Sequence, residues 1–412
     1  MGDMRGREVE LDATNIAHGG ISVARLEGRV VFVSDAIPGE RVLARVTDDD
    51  KPSFWRAETV RVLDPSIHRR PHPWAEAALD RDPAHRAGGA EFGHIELGHQ
   101  RTLKQQVLRE ALQRFAKLER DTVVEGLPGN DDGTRWRTRV RLHVSDDGVA
   151  GPYAARSHTV IPVADLPLAV DELREIAPLR ERFDPLTEHV DLLAPALGGP
   201  RLIVGKQSRS VVREVVGQRE FVVDDSGFWQ VHRHAAETLS AAVAGAIDDQ
   251  LFDPKAANLD LYGGVGLLAA AVGDRFGPTT RITSVESDAR ATEHAAENLA
   301  DWIGAATATA RVEHWVRSLG SASATERARL GAATVVLDPP RAGAGRAVLD
   351  ALAAVAPAQL VYVACDPVAF ARDVGLLAGH GYRLASLRAF DLFPMTHHVE
   401  AVGLLVRGEA AR

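Results

Sequence analysis

LDLYGGVGLLAAAV, residues 259 to 272, passes from a short apolar run into a helical pattern through Gly263, Gly264 and Gly266. Glycine lets the backbone turn tightly there and approach a ligand, and the helix that follows presents free amide groups. Glu286 ends the next strand-like run, ITSVES, twenty residues after Gly266, where an acidic side chain can grip ribose hydroxyls. The stretch is a nucleotide-binding signal. Because residues 264 to 269 also satisfy G-x-G-x-x-A, a nicotinamide dehydrogenase is one of its readings.

Outward from this stretch, helices and strands alternate from about residue 223, with strands at NLDLY, ITSVE, TVVLD and LVYVAC. The order predicts an α/β, doubly wound parallel sheet covered on both faces, with RLASLRAFDLF and AVGLLVRG closing one edge antiparallel. Such sheets bind ligands at the carboxyl ends of their strands. VVLDPPRAGAG puts Asp338 at one of those ends, before two prolines that hold the next backbone rigid. VYVACDPVAFARD puts Cys365, the only cysteine among 412 residues, at another. A lone thiol reads as a small buried hydrophobe or as a reactive group. FPMTHHVEAVGLL brings Glu400 to the head of a terminal apolar run, where a solvated cap is the plain alternative.

Upstream, residues 1 to 66 hold short strands broken by Gly and Pro, the pattern of a small closed barrel. Residues 67 to 222 are expected to form a central domain: a long His, Arg and Pro-rich connection, a helix at TLKQQVLREALQRFAKL, then RWRTRVRLHV. In that run Arg135, Arg137, Arg139 and Arg141 recur at period two, so a strand would carry all four on one face. Such a row suits either a solvated face balanced by carboxylates or an RNA backbone, with Arg156, Lys206, Arg209 and Arg213 extending it.

With 45% hydrophobic and 25% charged residues the composition is that of a soluble globular protein. One cysteine excludes an intrachain disulfide framework and any cysteine-built zinc or iron-sulfur site. The charged opening MGDMRGREVE and the lack of an apolar run of ~18 residues predict neither signal peptide nor membrane span, so a cytoplasmic location is expected. A net charge of -9 argues against a generic nucleic-acid binder but is compatible with a basic groove. His94, His397 and His398 show no tight ligand spacing, and no metal is expected.

AHGGISVARLEGRVVFVSDAIPGE resembles the TRAM domain, an OB-like RNA-binding module. DLYGGVG, Glu286, LDPPRAG, ACDP and THHVE, in that order, resemble the RNA 5-methyluridine methyltransferase family, whose fold is a TRAM domain, a central domain and a Rossmann-like catalytic domain. The resemblance implies S-adenosyl-L-methionine as cofactor, and Gln230, Tyr262, Gly264, Gly266, Glu286 and Asp338 as residues of its pocket. It makes Cys365 the nucleophile that adds to carbon 6 of uracil and Glu400 the base that later removes the carbon 5 proton. The thiolate is expected to be favoured by free amides at the strand-to-turn position. Arg341 is expected to meet RNA phosphate or steady its loop. RNA is the implied partner, 23S ribosomal RNA before transfer RNA, and the chain is expected to act as a monomer. An inactive RNA-binding protein is the alternative of another class, but it would need neither Cys365 nor Glu400. A dehydrogenase offers no joint role for Cys365, Asp338 and Glu400.

Several positions depart from the family pattern. Ala87 and Ala90 stand where many members have iron-sulfur cysteines, with His72 and Leu166 at the other two ligand positions. Alanine and leucine cannot ligate iron, so no iron-sulfur cluster is expected. Gly263 replaces a cysteine, Leu267 an asparagine and Met395 a glutamine. Asp366 also replaces an asparagine, which questions uracil preference because a carboxylate only accepts hydrogen bonds.

Overall fold

The structure is a computed structural model that describes residues 4–129, 131–155 and 157–408. Arg156, read above as part of a basic patch, lies outside them. Strands Glu8–Asp12, Asn15–Ala17, Ile21–Leu26, Arg29–Ser34, Arg41–Asp48 and Phe54–Asp64 form one curled sheet around Ala24, Val31, Val33, Val42 and Ala44. The end strands Glu8–Asp12 and Asn15–Ala17 pair with Arg41–Asp48 and Ile21–Leu26, and both belong to one bent stretch, residues 8–17, which brings the two ends of the ladder together as expected of a barrel. At the bend the Ala13 amide bonds to the Glu40 carbonyl and the Thr14 amide to the Val23 carbonyl.

The catalytic half is built on an eight-stranded sheet: β1 (Val124–Gly126), β2 (Asn258–Leu261), β3 (Ile282–Glu286), β4 (Ala305–Thr309), β5 (Thr334–Leu337), β6 (Gln359–Ala364), β7 (Tyr382–Asp391) and β8 (Glu400–Arg407). Their order is β4-β3-β2-β5-β6-β8-β7-β1. From β4 to β6 the strands are parallel, while β8 runs antiparallel to both β6 and β7. Every residue of β2, β5 and β6 is buried, as a parallel sheet covered on both faces requires. The cover includes helices α1 (Leu267–Phe276), α2 (Ala289–Asn298), α3 (Gly345–Val355) and α4 (Pro367–Gly379). No helix among the described residues is long and apolar enough to cross a membrane.

The region between residues 67 and 222 does not pack as one body. Its helix begins at Leu97, earlier than its apolar spacing suggested, runs to Ala111 and ends in a wider turn at Leu112–Ala116. Leu108, Ala111, Leu112 and Ala116 share a core with Leu349, Phe370 and Val374 of the catalytic half. β1 extends the catalytic sheet beside β7. The hairpin of Val211–Val216 and Arg219–Asp224 packs Val212, Phe221 and Val223 with Leu239 and Leu268. What remains has its own core, around Trp74, Trp136, Leu142, Ile161 and Leu192.

RWRTRVRLHV is also corrected. Only Arg139–Val144 is strand, because Arg135 takes the left-handed conformation with φ 56° and the Arg135 and Arg137 amides bond to a neighbouring loop at Pro167 and Leu168. The four arginines therefore do not share one strand face.

Candidate active site

Antiparallel pairing of β6 with β8 sets Ala364 opposite Ala401. Cys365 follows Ala364 and Glu400 precedes Ala401, so the two residues lie at the same end of this strand pair. β5 lies on the other side of β6, and Asp338 follows its last residue. Tyr262 and Glu286 end the next strands out. The parallel ends and the antiparallel start thus bring five residues from distant parts of the chain to one edge.

That edge opens into a cleft of about 830 Å³ lined by Gln230, Tyr262, Gly264, Glu286, Asp338, Cys365 and Glu400, within the size of small-molecule sites. Gly266 ends the glycine turn beneath it with φ 87°, and Gly264 has φ 54°. Tyr262 also holds a left-handed φ of 63°, a strain that a non-glycine residue keeps only where its surroundings impose it. At Gly263 a Cβ atom would fall 2.0 Å from Ser284 Oγ and 2.6 Å from Asp260 Oδ2, so here the turn excludes any side chain. Glu286 accepts from the Gly264 amide at 3.2 Å and the Asp288 amide at 2.8 Å. Its carboxyl is thereby fixed at the edge of the cleft. Leu267 opens α1 and is not among the cleft residues.

Burial dominates the electrostatics. It pushes the Cys365 thiol up to about 12, with Glu400 and Asp338 adding to the shift and Arg341 opposing it. Glu400 is held well above the usual carboxylate range by burial and then by Asp338. Asp338 is pushed up to about 7 by burial and then by Asp260. The expectation that backbone amides favour the thiolate is therefore corrected: before ligands arrive, desolvation outweighs them.

The arginines separate by role. Arg139 donates to Glu214 at 3.1 Å and to the Gly227 carbonyl at 2.7 Å, Arg141 grips Asp191 through two bonds at 2.7 and 2.8 Å, and Arg135 pairs with Asp171. Arg137 lines the cleft, over the Trp136 ring and bonded to the Arg139 carbonyl. Its charged neighbour is Arg341, not a carboxylate. Phe228, 74% exposed at the cleft mouth, was missed in the sequence, where an aromatic at a helix start reads as core.

Asp366 does not line the cleft. Its Oδ1 accepts from the Val368 and Ala369 amides at 3.0 and 2.8 Å, capping α4, and its Oδ2 meets His18 Nε2 at 2.7 Å. Met395 is buried, its sulfur accepting from Arg70 and Gln100.

The iron-sulfur positions are filled in another way. Ala87, Ala90 and Leu166 are buried in one apolar cluster with Trp74. His72 Nε2 donates to the Ala90 carbonyl at 3.0 Å, and its Nδ1 accepts from the Trp74 amide at 3.0 Å, which leaves no nitrogen to ligate a metal. Among the described residues no group of three or more His, Cys, Asp or Glu side chains could hold a metal ion. These residues do not fit a cluster.

Against known proteins, residues 252–408 match the tRNA (uracil-5-)-methyltransferase family and residues 2–60 match the TRAM domain. A protein of Streptomyces avermitilis named as an RNA methyltransferase is 37% identical, covering 97% of this chain and 98% of its own. One of Bifidobacterium longum, also named as an RNA methyltransferase, is 33% identical over 97% of both chains. The fold is similar to that of Pyrococcus abyssi tRNA (uracil-54, C5)-methyltransferase, crystallised with S-adenosyl-L-homocysteine, at TM-score 0.70 and 20% identity over 97% of this chain and 100% of that one.

Proposed function

Because the chain belongs to the adenosylmethionine-dependent RNA (uracil-5-) methyltransferase family, we propose that it methylates carbon 5 of a uridine in ribosomal RNA through a covalent adduct between Cys365 and the base. The observation that carries this reading is the pairing of β6 with β8, which brings the one thiol and the buried Glu400 carboxyl to the same end of the pair and into a cleft that also holds Asp338.

When bound, adenosylmethionine supplies an electrophilic methyl group on a cationic sulfur. With that charge and Arg341 beside it, the Cys365 thiol gives its proton to solvent and Sγ bonds to carbon 6 of uracil. The electron pair displaced from the carbon 5–carbon 6 double bond makes carbon 5 the nucleophile, which takes the methyl group. Glu400, having given its own proton to solvent, then removes the carbon 5 proton as a carboxylate, the double bond re-forms, and the bond from carbon 6 to Sγ breaks to release the thiolate. Gln230, Tyr262 and Glu286 hold the cofactor, and Asp338 with its proline loop holds the base. Arg137 and Arg341 meet the phosphates of a nucleotide turned out of its stack, and Phe228 offers a stacking face.

A second reading, transfer RNA as substrate, is favoured by one observation: the whole-chain fold match, barrel included, is to an enzyme named for tRNA. Mass mapping of 5-methyluridine in ribosomal and transfer RNA from cells lacking the protein separates the two. For the adduct, Glu400→Gln should accumulate a protein-RNA species that survives denaturing electrophoresis and is absent when Cys365→Ala is added. Free release of methylated RNA by Glu400→Gln would assign the proton step to another base.

A further inference from the structure

The mechanism gives no role to Asp373, a buried carboxyl group behind the cleft. Asp373 lies on α4, eight residues after Cys365, and is fully buried. Its Oδ2 accepts from the Tyr362 hydroxyl at 2.6 Å, the Ala344 amide at 2.8 Å and the Gly345 amide at 3.2 Å. Its Oδ1 accepts from Arg372 at 2.9 and 3.1 Å, and Arg372 in turn donates to the Ala342 carbonyl at 2.6 Å. Tyr362 stands three residues before Cys365 on β6, and residues 342 to 345 end the loop that begins at Asp338. One carboxyl group therefore joins the strand that carries the thiol to the loop that carries Asp338 and Arg341.

The fit leaves little slack. Gly343 has φ 81°, and a Cβ atom there would lie 2.5 Å from Asp373 Oδ2 and 2.7 Å from Arg372 Nη2. Burial holds the Tyr362 phenol well above its ordinary range, so its hydroxyl remains a donor. The α3 N-terminus has no side-chain cap of its own, and Asp373 supplies one from a different helix. A cap alone would need only the two amides. The bonds to Tyr362 and, through Arg372, to Ala342 add the link to β6 and fix the loop upstream of the helix.

We propose that Asp373 is a positioning residue for methyl transfer, holding the Asp338–Arg341 loop and the Cys365 strand at the separation at which a base gripped by one meets the sulfur of the other. The proposal rests on the reading of Cys365 as nucleophile. Misplacing reacting groups by about 1 Å can cost roughly 100-fold in rate.

In the full-length protein Asp373→Asn keeps the shape but sets an amide NH₂ against the donors. It should lower kcat by roughly 10-fold to 100-fold and speed amide hydrogen exchange in residues 338 to 345. The KM for RNA and the calorimetric affinity for adenosylmethionine should stay within about 3-fold of wild type. Gly343→Ala presses on the same carboxyl group from the loop side and should reproduce the kcat loss; it decides the matter should Asp373→Asn fail to fold. A merely capping role predicts a lower Tm with kcat and loop exchange unchanged below it, and that result overturns the proposal. Failure of the nucleophile reading shows elsewhere, as a wild-type enzyme that forms no Cys365 adduct, and loop exchange then decides the clamp by itself.

Discussion

Cys365, Asp338 and Glu400 share one desolvated cleft, and each is held toward its protonated form. For Asp338 the carboxyl is raised from an ordinary 3.8 to about 7, so the folded protein binds its proton more tightly than the unfolded chain. Stability from this group is complete below about pH 4 and is lost as pH rises toward 7. Asp338→Asn should therefore be more stable than wild type at pH 8, by on the order of 1–3 kcal/mol given about 1.4 kcal/mol per pKa unit. The gain should vanish by pH 4; thermal unfolding at both values checks this, and methyl transfer should fall at either pH. Cys365→Ala should abolish turnover yet leave adenosylmethionine affinity within about 2-fold, since the thiol acts only after binding; calorimetry with a methyl-transfer assay reads both. The residue types of this cleft were legible in the sequence as an ordered set of motifs. Their protonation was not, because burial and mutual repulsion are properties of the assembled pocket.

Among the elements, RWRTRVRLHV shows why a periodic run can mislead. Alternation predicted one cationic strand face, but a left-handed Arg135 ends the strand at Arg139 and sends Arg137 into the cleft. The two neighbours should therefore respond in opposite ways. Arg137→Ala should flatten the dependence of RNA affinity on salt by about 0.7–0.9 in the log-log slope, the effect of one phosphate contact. Arg139→Ala should leave that slope unchanged and cost about 3 kcal/mol, since it strands the buried Glu214 carboxyl without its partner. Filter binding across a salt series, with denaturant unfolding of both variants, separates the roles. β4 escaped the sequence reading for a different reason: AATAT carries no large apolar residue, and a sheet-edge strand needs none. β1 escaped because three residues hold too little pattern to read.

At the scale of the whole molecule the helix Leu97–Ala111 ties the chain together. Lys104 and Asp391, both wholly buried, meet at 2.5 Å, and Arg101 adds a second bond to the same carboxyl group at 3.3 Å. Lys104→Met should destabilise the protein by about 3–5 kcal/mol by leaving that carboxyl group buried with a weaker partner, and adding Asp391→Leu should recover most of the loss. Tm values of the single and double variants test this. The barrel meets the C-terminal half next to Cys365, through His18 and Asp366, a contact across 348 residues of sequence that no local pattern announces. Order and type of β2, β3, β5, β6, β7 and β8, the glycine turn and the identities of Cys365, Asp338 and Glu400 follow from the sequence alone, because hydrophobic period, turn chemistry and motif order are local and survive in one dimension. Only the tertiary structure decided that Cys365 and Glu400 meet in one cleft, that Asp366 caps α4 and bonds to His18, that Arg137 and not Arg139 reaches the cleft, and that the helix Leu97–Ala111 packs on the eight-stranded sheet while β1 joins it. Each of these depends on which strands pair and which surfaces lose water when distant segments meet, and neither is set by the residues on either side.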